Sequence, residues 1–271
     1  MYELTRRVRF CVSSSSFDSK EEEVPRPRSA YAGWPTMKGI GTFWEIEVSY
    51  RGDVDPQTGY LLNISIIDQA VHNVAIGLLV DALRNKPETH PGLVLLNVLP
   101  ALQESLGDSV SGVRWKLTPY YWVAVRSHAM DRVLISQQFE FSAAHRLHIG
   151  QLSEEENRNT FGKCNNPHGH GHNYRIEAVV SAPIPDTDDL DLFCVSKLER
   201  IVDEQIIKRF DHTNLNLDTS EFAQLNPSVE HIAKVCYGLL SEPINEAGAQ
   251  LARVTIWETE KSSCTYPATT T

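Results

Sequence analysis

Alternation of apolar and polar residues marks the strands of this chain, and in each half two stretches of helical spacing lie between them. Arg7–Ser13 alternates and is rich in strand-forming residues. In Thr42–Tyr50, Trp44, Ile46 and Val48 fall on one face and Phe43, Glu45 and Glu47 on the other. A turn follows at Asp53–Gly59. Ile64–Leu83 has helical periodicity, Val98–Leu106 predicts a shorter helix, and Val113–Leu117 and Tyr121–Arg126 predict closing strands around Pro119. The second half runs in the same order. Arg132–Ala144 is a long strand, and Asn173–Pro183 is its partner, with Tyr174, Ile176, Ala178 and Val180 on one face. Val195–Phe210 is amphipathic, with Leu198, Ile201, Val202, Ile206 and Ile207 inward. Val229–Leu240 predicts a second helix, and Arg253–Glu258 and Cys264–Tyr266 the closing strands. Ser13–Arg28, with four consecutive serines, Glu21–Glu23 and two prolines, reads as a solvated loop.

The repeated order carries some identity. Gly39-Ile40-Gly41-Thr42-Phe43-Trp44-Glu45-Ile46-Glu47 lies over Gly169-His170-Gly171-His172-Asn173-Tyr174-Arg175-Ile176-Glu177 at an offset of 130 residues, 39 to 169. Both glycines, the aromatic and the Ile-Glu pair agree, which points to an internal duplication. Two domains are expected, 1–128 and 129–271. Ile40 and Thr42 stand where the second half has His170 and His172, so the first domain is expected to lack a metal site.

Composition narrows the function classes. The hydrophobic share of 41% and charged share of 22% are those of ordinary soluble chains. No apolar run approaches the roughly 20 residues that span a bilayer, so no membrane partner is expected. Met1–Phe10 has three arginines and no long apolar core behind them, so no secretory signal is expected. The five cysteines, Cys11, Cys164, Cys194, Cys236 and Cys264, are odd in number and widely spaced, which suits a reducing cytoplasm. A net charge of −10 argues against nucleic acid as a partner.

The chemistry concentrates at one segment. His168, His170 and His172 alternate with glycine just before a strand. Residues two apart in an extended segment point the same way, so two imidazoles can converge on one ion. The glycines between them leave room for a substrate or another subunit to approach. A third ligand must come from elsewhere, and His145 follows the strand that ends at Ala144. Cys164 lies in a polar Gly-Lys-Cys-Asn-Asn loop beside Lys163 and near the expected metal, surroundings that lower a thiol pKa.

Phe141-Ser142-Ala143-Ala144-His145-Arg146-Leu147, followed by Phe161-Gly162-Lys163-Cys164-Asn165-Asn166-Pro167-His168-Gly169-His170-Gly171-His172-Asn173-Tyr174, closely resembles the 6-pyruvoyl-tetrahydropterin synthase family, which includes the 6-carboxytetrahydropterin synthases of the queuosine route. Phe210-Asp211-His212-Thr213-Asn214-Leu215-Asn216, Asn226-Pro227-Ser228-Val229-Glu230 and Trp257-Glu258-Thr259 match as well, so the resemblance covers about 131–268. It implies Zn2+ held by His145, His170 and His172, with His168 allowing a second register. It implies Cys164 as catalytic base and Asp211 with His212 in proton transfer. Glu258 is the implied pterin anchor, with Ser228 and Glu230 as further substrate contacts. An aspartate that fixes a histidine tautomer suits proton transfer. One carboxylate can accept from the amino group and ring N–H of a pterin together.

The implied fold is α+β, with each half a tunnelling-fold (T-fold) domain of a four-stranded antiparallel sheet carrying two helices on one face. Such units join edge to edge, so a homo-oligomer is expected, a trimer ahead of a dimer. The implied substrate is the small molecule 7,8-dihydroneopterin triphosphate. Products are 6-pyruvoyl-tetrahydropterin in one branch and a 6-carboxy pterin in the other, and a non-catalytic pterin- or metal-binding module is the alternative class. Arg146, Arg158, Lys163 and Arg175 are expected to gather into a basic pocket for the triphosphate, against the acidic charge of the whole. The family's glycine and aspartate at the start of its first helix are missing from Leu190–Cys194.

Overall fold

A computed structural model of the protein describes residues 1–12, 40–184 and 192–268. The Ser13–Arg28 loop, Gly39 of the repeated segment, and Leu190 and Asp191 lie outside the described residues. The chain divides into two units, Met1–Leu134 with Ile184–Leu192, and Ile135–Pro183 with Phe193–Thr271. The boundary expected at 128/129 lies just before strand β5 (Ala129–His145), and the division between the units, after Leu134, falls inside that strand. Both units are antiparallel α+β structures.

In the first unit β1 (Tyr2–Val12) pairs antiparallel with β2 (Thr42–Gly52), and β2 with β3 (Val110–Lys116), which pairs with β4 (Tyr121–Arg126). Val8, Phe10, Trp44, Ile46 and Val48 fill the buried face. The opposite face carries charge rungs. Arg9 and Lys116 flank Glu45 at 2.9 and 3.2 Å, and Arg7 and Arg114 flank Glu47 at 2.8 and 3.0 Å. Cross-strand pairs of this kind fix register, because a one-residue slip would send every charge into the core.

Helices α1 (Ile64–Ala70) and α2 (Ile76–Asn85) continue through a π-helical turn at Val71–Ala75. The resulting helix, Ile64–Asn85, has 22 residues and a mean hydropathy of 1.4, which by length and composition alone could cross a membrane. Its apolar side is spent in the core of this unit: Ile67, Val71, Ala75, Ile76 and Leu79 are buried. Truncating Ile67, Ile76 or Leu79 to alanine costs about 2–5 kcal/mol. Helix α3 (Pro91–Leu106) begins earlier than the pattern suggested, since His90 caps it by accepting from the Gly92 N–H and Pro91 takes the first helical position.

The second unit orders its strands β5, β6 (His170–Pro183), β8 (Gln250–Thr259), β9 (Ser262–Tyr266). A two-residue β7 (Thr213–Asn214) lies parallel to β5. Helix α4 (Glu154–Phe161) precedes β6 and opens on a capping box between Ser153 and Glu156. Between β6 and β7, α5 (Val195–Val202) passes through a π-helical turn, Asp203–Ile207, into the short α6 (Lys208–Phe210). After β7 come α7 (Leu215–Asp218) and the long α8 (Val229–Glu246). Leu198, Val202, Ile206 and Phe210 are buried, as are Ile232, Cys236 and Leu240 of α8 and Ile176, Val254 and Ile256 of the sheet.

Candidate functional site

His145 ends β5, and His170 opens β6. Strand alternation then puts His170, His172, Tyr174 and Ile176 on the core side, and Gly171, Asn173 and Arg175 on the other. The two glycines serve the sheet itself, and Gly171 also lines the cleft described below. Gly169 has φ +71°, and a Cβ there would stand 3.0 Å from the His145 carbonyl oxygen. A Cβ on Gly171 would stand 3.4 Å from the Ala143 carbonyl. Their bareness lets the second histidine segment lie against the backbone that carries the first.

The ligand nitrogens of His145, His170 and His172 all lie within 4.8 Å of one another. His145 is fully buried, and its Nδ1 donates to the Pro227 carbonyl oxygen at 2.7 Å, which leaves the Nε2 lone pair facing the cluster. That Nε2 is 3.1 Å from Nε2 of His170, while Nε2 of His172 is buried without a hydrogen-bond partner. Burial, the largest cause in both, holds His145 and His172 below the ordinary imidazole pKa. Neutral nitrogens converging with too few protons to share suit a cation, and three histidines are a donor set for zinc with a position to spare. His168 is exposed and stands outside the cluster, with its backbone N–H on the Asn166 side chain.

Cys164 sits in a 3₁₀ turn, Gly162–Asn165, pinned by the Leu147 N–H on its carbonyl at 2.9 Å. Burial, and then the Glu258 carboxylate, push its thiol up. The exposed Lys163 does not offset this rise, so the lowering expected from the polar loop, Lys163 and a nearby metal turns on the metal. Asp211 is held to β5: its Oδ1 accepts from the Ser142 N–H at 2.8 Å and its Oδ2 from His212 Nδ1 at 2.8 Å. His212 has φ +59°, a left-handed backbone unusual outside glycine, secured by its own N–H on the Ser142 carbonyl at 2.6 Å. Its ring is 82% exposed, with Nε2 directed away from the aspartate.

An open cleft of about 860 Å³ is lined by Ser142, Gly171, His172, Asn173, His212 and Glu258, among others. Glu258 also reaches the histidines, with Oε1 3.4 Å from His145 Nε2 and 3.6 Å from His172 Nε2. The four positively charged side chains expected to serve a triphosphate do not gather here. None of them lines the cleft; Arg175 lies over Trp257, and Arg146 donates to the Asn165 carbonyl. Ser228 and Glu230 are placed at a helix start, where the Ser228 hydroxyl accepts from the His231 N–H and the exposed Glu230 hydrogen-bonds Ser228.

Two contributors carried no sequence signal of their own role. The Pro227 carbonyl orients His145, yet a backbone oxygen leaves no trace in residue type. Tyr174 reads as one more inward strand residue, but its fully buried hydroxyl has no hydrogen-bond partner, and its ring stacks on Phe141 beside His145 and His172.

Comparison with known proteins places this site in context. The sequence model of a family described as 6-pyruvoyl tetrahydropterin synthase matches residues 134–269. The chain is similar to the 6-pyruvoyl tetrahydrobiopterin synthase of Drosophila melanogaster, 38% identical over 132 residues that make up 49% of this chain and 77% of that protein. It is likewise similar to the Homo sapiens protein of the same name, 35% identical over 132 residues, 49% of this chain and 89% of that one. The solved structure of Caenorhabditis elegans 6-pyruvoyl tetrahydropterin synthase is 34% identical and covers 51% of this chain and 96% of its own, with a TM-score of 0.44.

Proposed function

Since the chain belongs to the 6-pyruvoyl tetrahydropterin synthase family, a family of lyases, we propose that it is a zinc-dependent enzyme that eliminates triphosphate from 7,8-dihydroneopterin triphosphate and forms 6-pyruvoyl-tetrahydropterin. The observation that carries this reading is the convergence of His145, His170 and His172 beside Glu258. Zinc held by the three histidines would supply Lewis-acid polarisation of the substrate's side-chain hydroxyls. Glu258 accepts from the amino group and ring N–H of the pterin and so orients the ring. Those donors also offset the carboxylate charge that raises the Cys164 thiol. Cys164 then acts as base on a carbon-bound proton beside those hydroxyls, and triphosphate departs with the bonding electrons. His212, its Nδ1–H fixed by Asp211, moves protons through Nε2.

The pyruvoyl product is preferred to the carboxy one because the converging pair is His170 and His172, which leaves five residues between Cys164 and the first histidine. His212, held by Asp211, lines the cleft with Glu258, and the Glu258 carboxylate acts on the Cys164 thiol, which favours an enzyme over a binding module.

The first unit is read as a diverged duplicate without ligands. Strand irregularities fall at Ser49/Tyr50 in β2 and Val179/Val180 in β6, 130 positions apart, the offset of the sequence match. Each unit also has a π-helical turn in its first long helix. Ile40 and Thr42 stand in for the histidines, and Leu117 follows Lys116 where Glu258 follows Trp257. The assembly is read as a trimer in the cytoplasm. Measuring triphosphate release from 7,8-dihydroneopterin triphosphate tests the reading: zinc-loaded protein should release it and Cys164→Ala should not. Equal release by the two would contradict it.

A further inference from the structure

The first unit has a cleft of its own. Among the described residues, Arg9, Phe43, Glu45, Lys116, Thr118 and Pro119 line a space of about 370 Å³, a volume within the range of small-molecule sites. Its place in the unit matches that of the other cleft. At the 130-residue offset Phe43 corresponds to Asn173, and each lines the cleft of its own unit. The ladders pair Glu45 with Lys116 and Arg175 with Trp257, so Leu117, Thr118 and Pro119 correspond to Glu258, Thr259 and Glu260. Three corresponding positions thus line both clefts, with different chemistry. The cleft of the second unit is lined by Glu258 and Glu260 and by no Lys or Arg. In the first unit Leu117 and Pro119 stand in place of those acids, and Arg9 and Lys116 line the cleft. We propose that the first unit binds a small aromatic anion in this cleft, its ring against Phe43 and Pro119 and its anionic group on Lys116 and Arg9.

Charge and exposure support this ligand class. The Lys116 ammonium can donate three hydrogen bonds, and Glu45, at 3.2 Å, is its one ion-pair partner among the described residues. The same carboxylate also pairs with Arg9 at 2.9 Å. Arg7 and Arg114 share this sheet face with Glu47, and so does Arg126, beside Gly112. Arg126 has no carboxylate within ion-pair distance among the described residues and donates to the Ser49 hydroxyl at 3.4 Å. Burial, and then Arg114, push its guanidinium below the ordinary value, the mark of a positive local field. That field opposes the net charge of −10 on the whole chain and draws an anion to this face. Phe43 is 43% exposed and offers a flat apolar surface beside the cations. Charge rungs that only fixed register would need neither an open cleft nor a bare ring. The match of positions uses the duplicate reading above, whereas the cleft and its charges stand without it.

Titration of 2-naphthoate into the zinc-loaded full-length protein, followed by the fluorescence of the naphthoate, tests the proposal. Wild type should bind it, and should bind 2-naphthylmethanol, the same ring without the charge, about 10-fold more weakly or worse. Lys116→Gln and Phe43→Ala should each weaken naphthoate binding about 10-fold, the first by removing the cation and the second by removing the ring surface. Phe43 takes no part in the charge rungs, so Phe43→Ala still gives the answer if Lys116→Gln folds poorly. Wild type that does not bind naphthoate, equal affinity for the uncharged alcohol, or naphthoate affinity unchanged in Phe43→Ala or in folded Lys116→Gln would overturn the proposal. Naphthoate held on zinc gives the last of these results, because neither substitution touches the histidines.

Discussion

Replacing Cys164 by Ala removes the proposed base and leaves every imidazole in place. The variant is expected to retain zinc and pterin binding and to lose turnover by about 10²- to 10⁴-fold; near-normal turnover would refute the assignment. His170→Ala and His172→Ala should each strip the metal, whereas His168→Ala should keep it, because His168 is exposed outside the cluster. Metal analysis of the purified variants decides the register. Asp211 links geometry to pH. The Ser142 N–H first, and His212 next, hold its carboxyl below the ordinary range. A folded-state pKa below the unfolded one means that the contact contributes fully above about pH 4 and is lost as pH falls through the lower folded value. The His212 tautomer is therefore fixed across the neutral range, and Asp211→Asn should reduce turnover at neutral pH while leaving zinc content unchanged. At this scale strand periodicity and glycine spacing marked His168, His170 and His172 as a segment where imidazoles could converge, and the family resemblance singled out His145, His170 and His172. The direction of the Cys164 shift was not legible, since it depends on burial and on Glu258, 94 positions away in the sequence.

Gly169 shows how an element serves the site. Its positive φ and the 3.0 Å approach to the His145 carbonyl mean that Gly169→Ala strains the turn and pushes β6 from β5. A loss of about 1–3 kcal/mol in denaturant unfolding is expected, with weakened zinc binding. Gly150→Ala, where a Cβ meets nothing within 4 Å, is the control and should show neither. The strands and long helices were readable from period alone. Helix α4 was not, because Asn157 is its single buried residue and no apolar stripe exists to detect. What Asn157 does instead is clasp the loop before it, exchanging hydrogen bonds with both backbone groups of Ile149 at 2.8 and 2.9 Å. The Asn-Pro-Ser-Val-Glu segment was recognisable as a motif, but its structural work is to start α8 and to aim the Pro227 carbonyl at His145.

For the whole molecule, the duplicated reading predicts one zinc per protomer, since the first unit has Ile40 and Thr42 at the ligand positions; two tightly bound ions per protomer would contradict it. Strand β1 pairs on one side only among the described residues of the first unit, as does β9 in the second. Open edges invite pairing between copies. Light scattering after size exclusion should give a mass near three protomers; a mass near two supports the smaller closed assembly, and a stable active monomer excludes both. Two units were legible in the order of elements, but their boundary was not, because β5 passes through it without a break. The product is the most direct test of the activity. Mass spectrometry of zinc-loaded protein incubated with 7,8-dihydroneopterin triphosphate should find 6-pyruvoyl-tetrahydropterin and free triphosphate. A 6-carboxy pterin with acetaldehyde, or unconverted substrate, would contradict it.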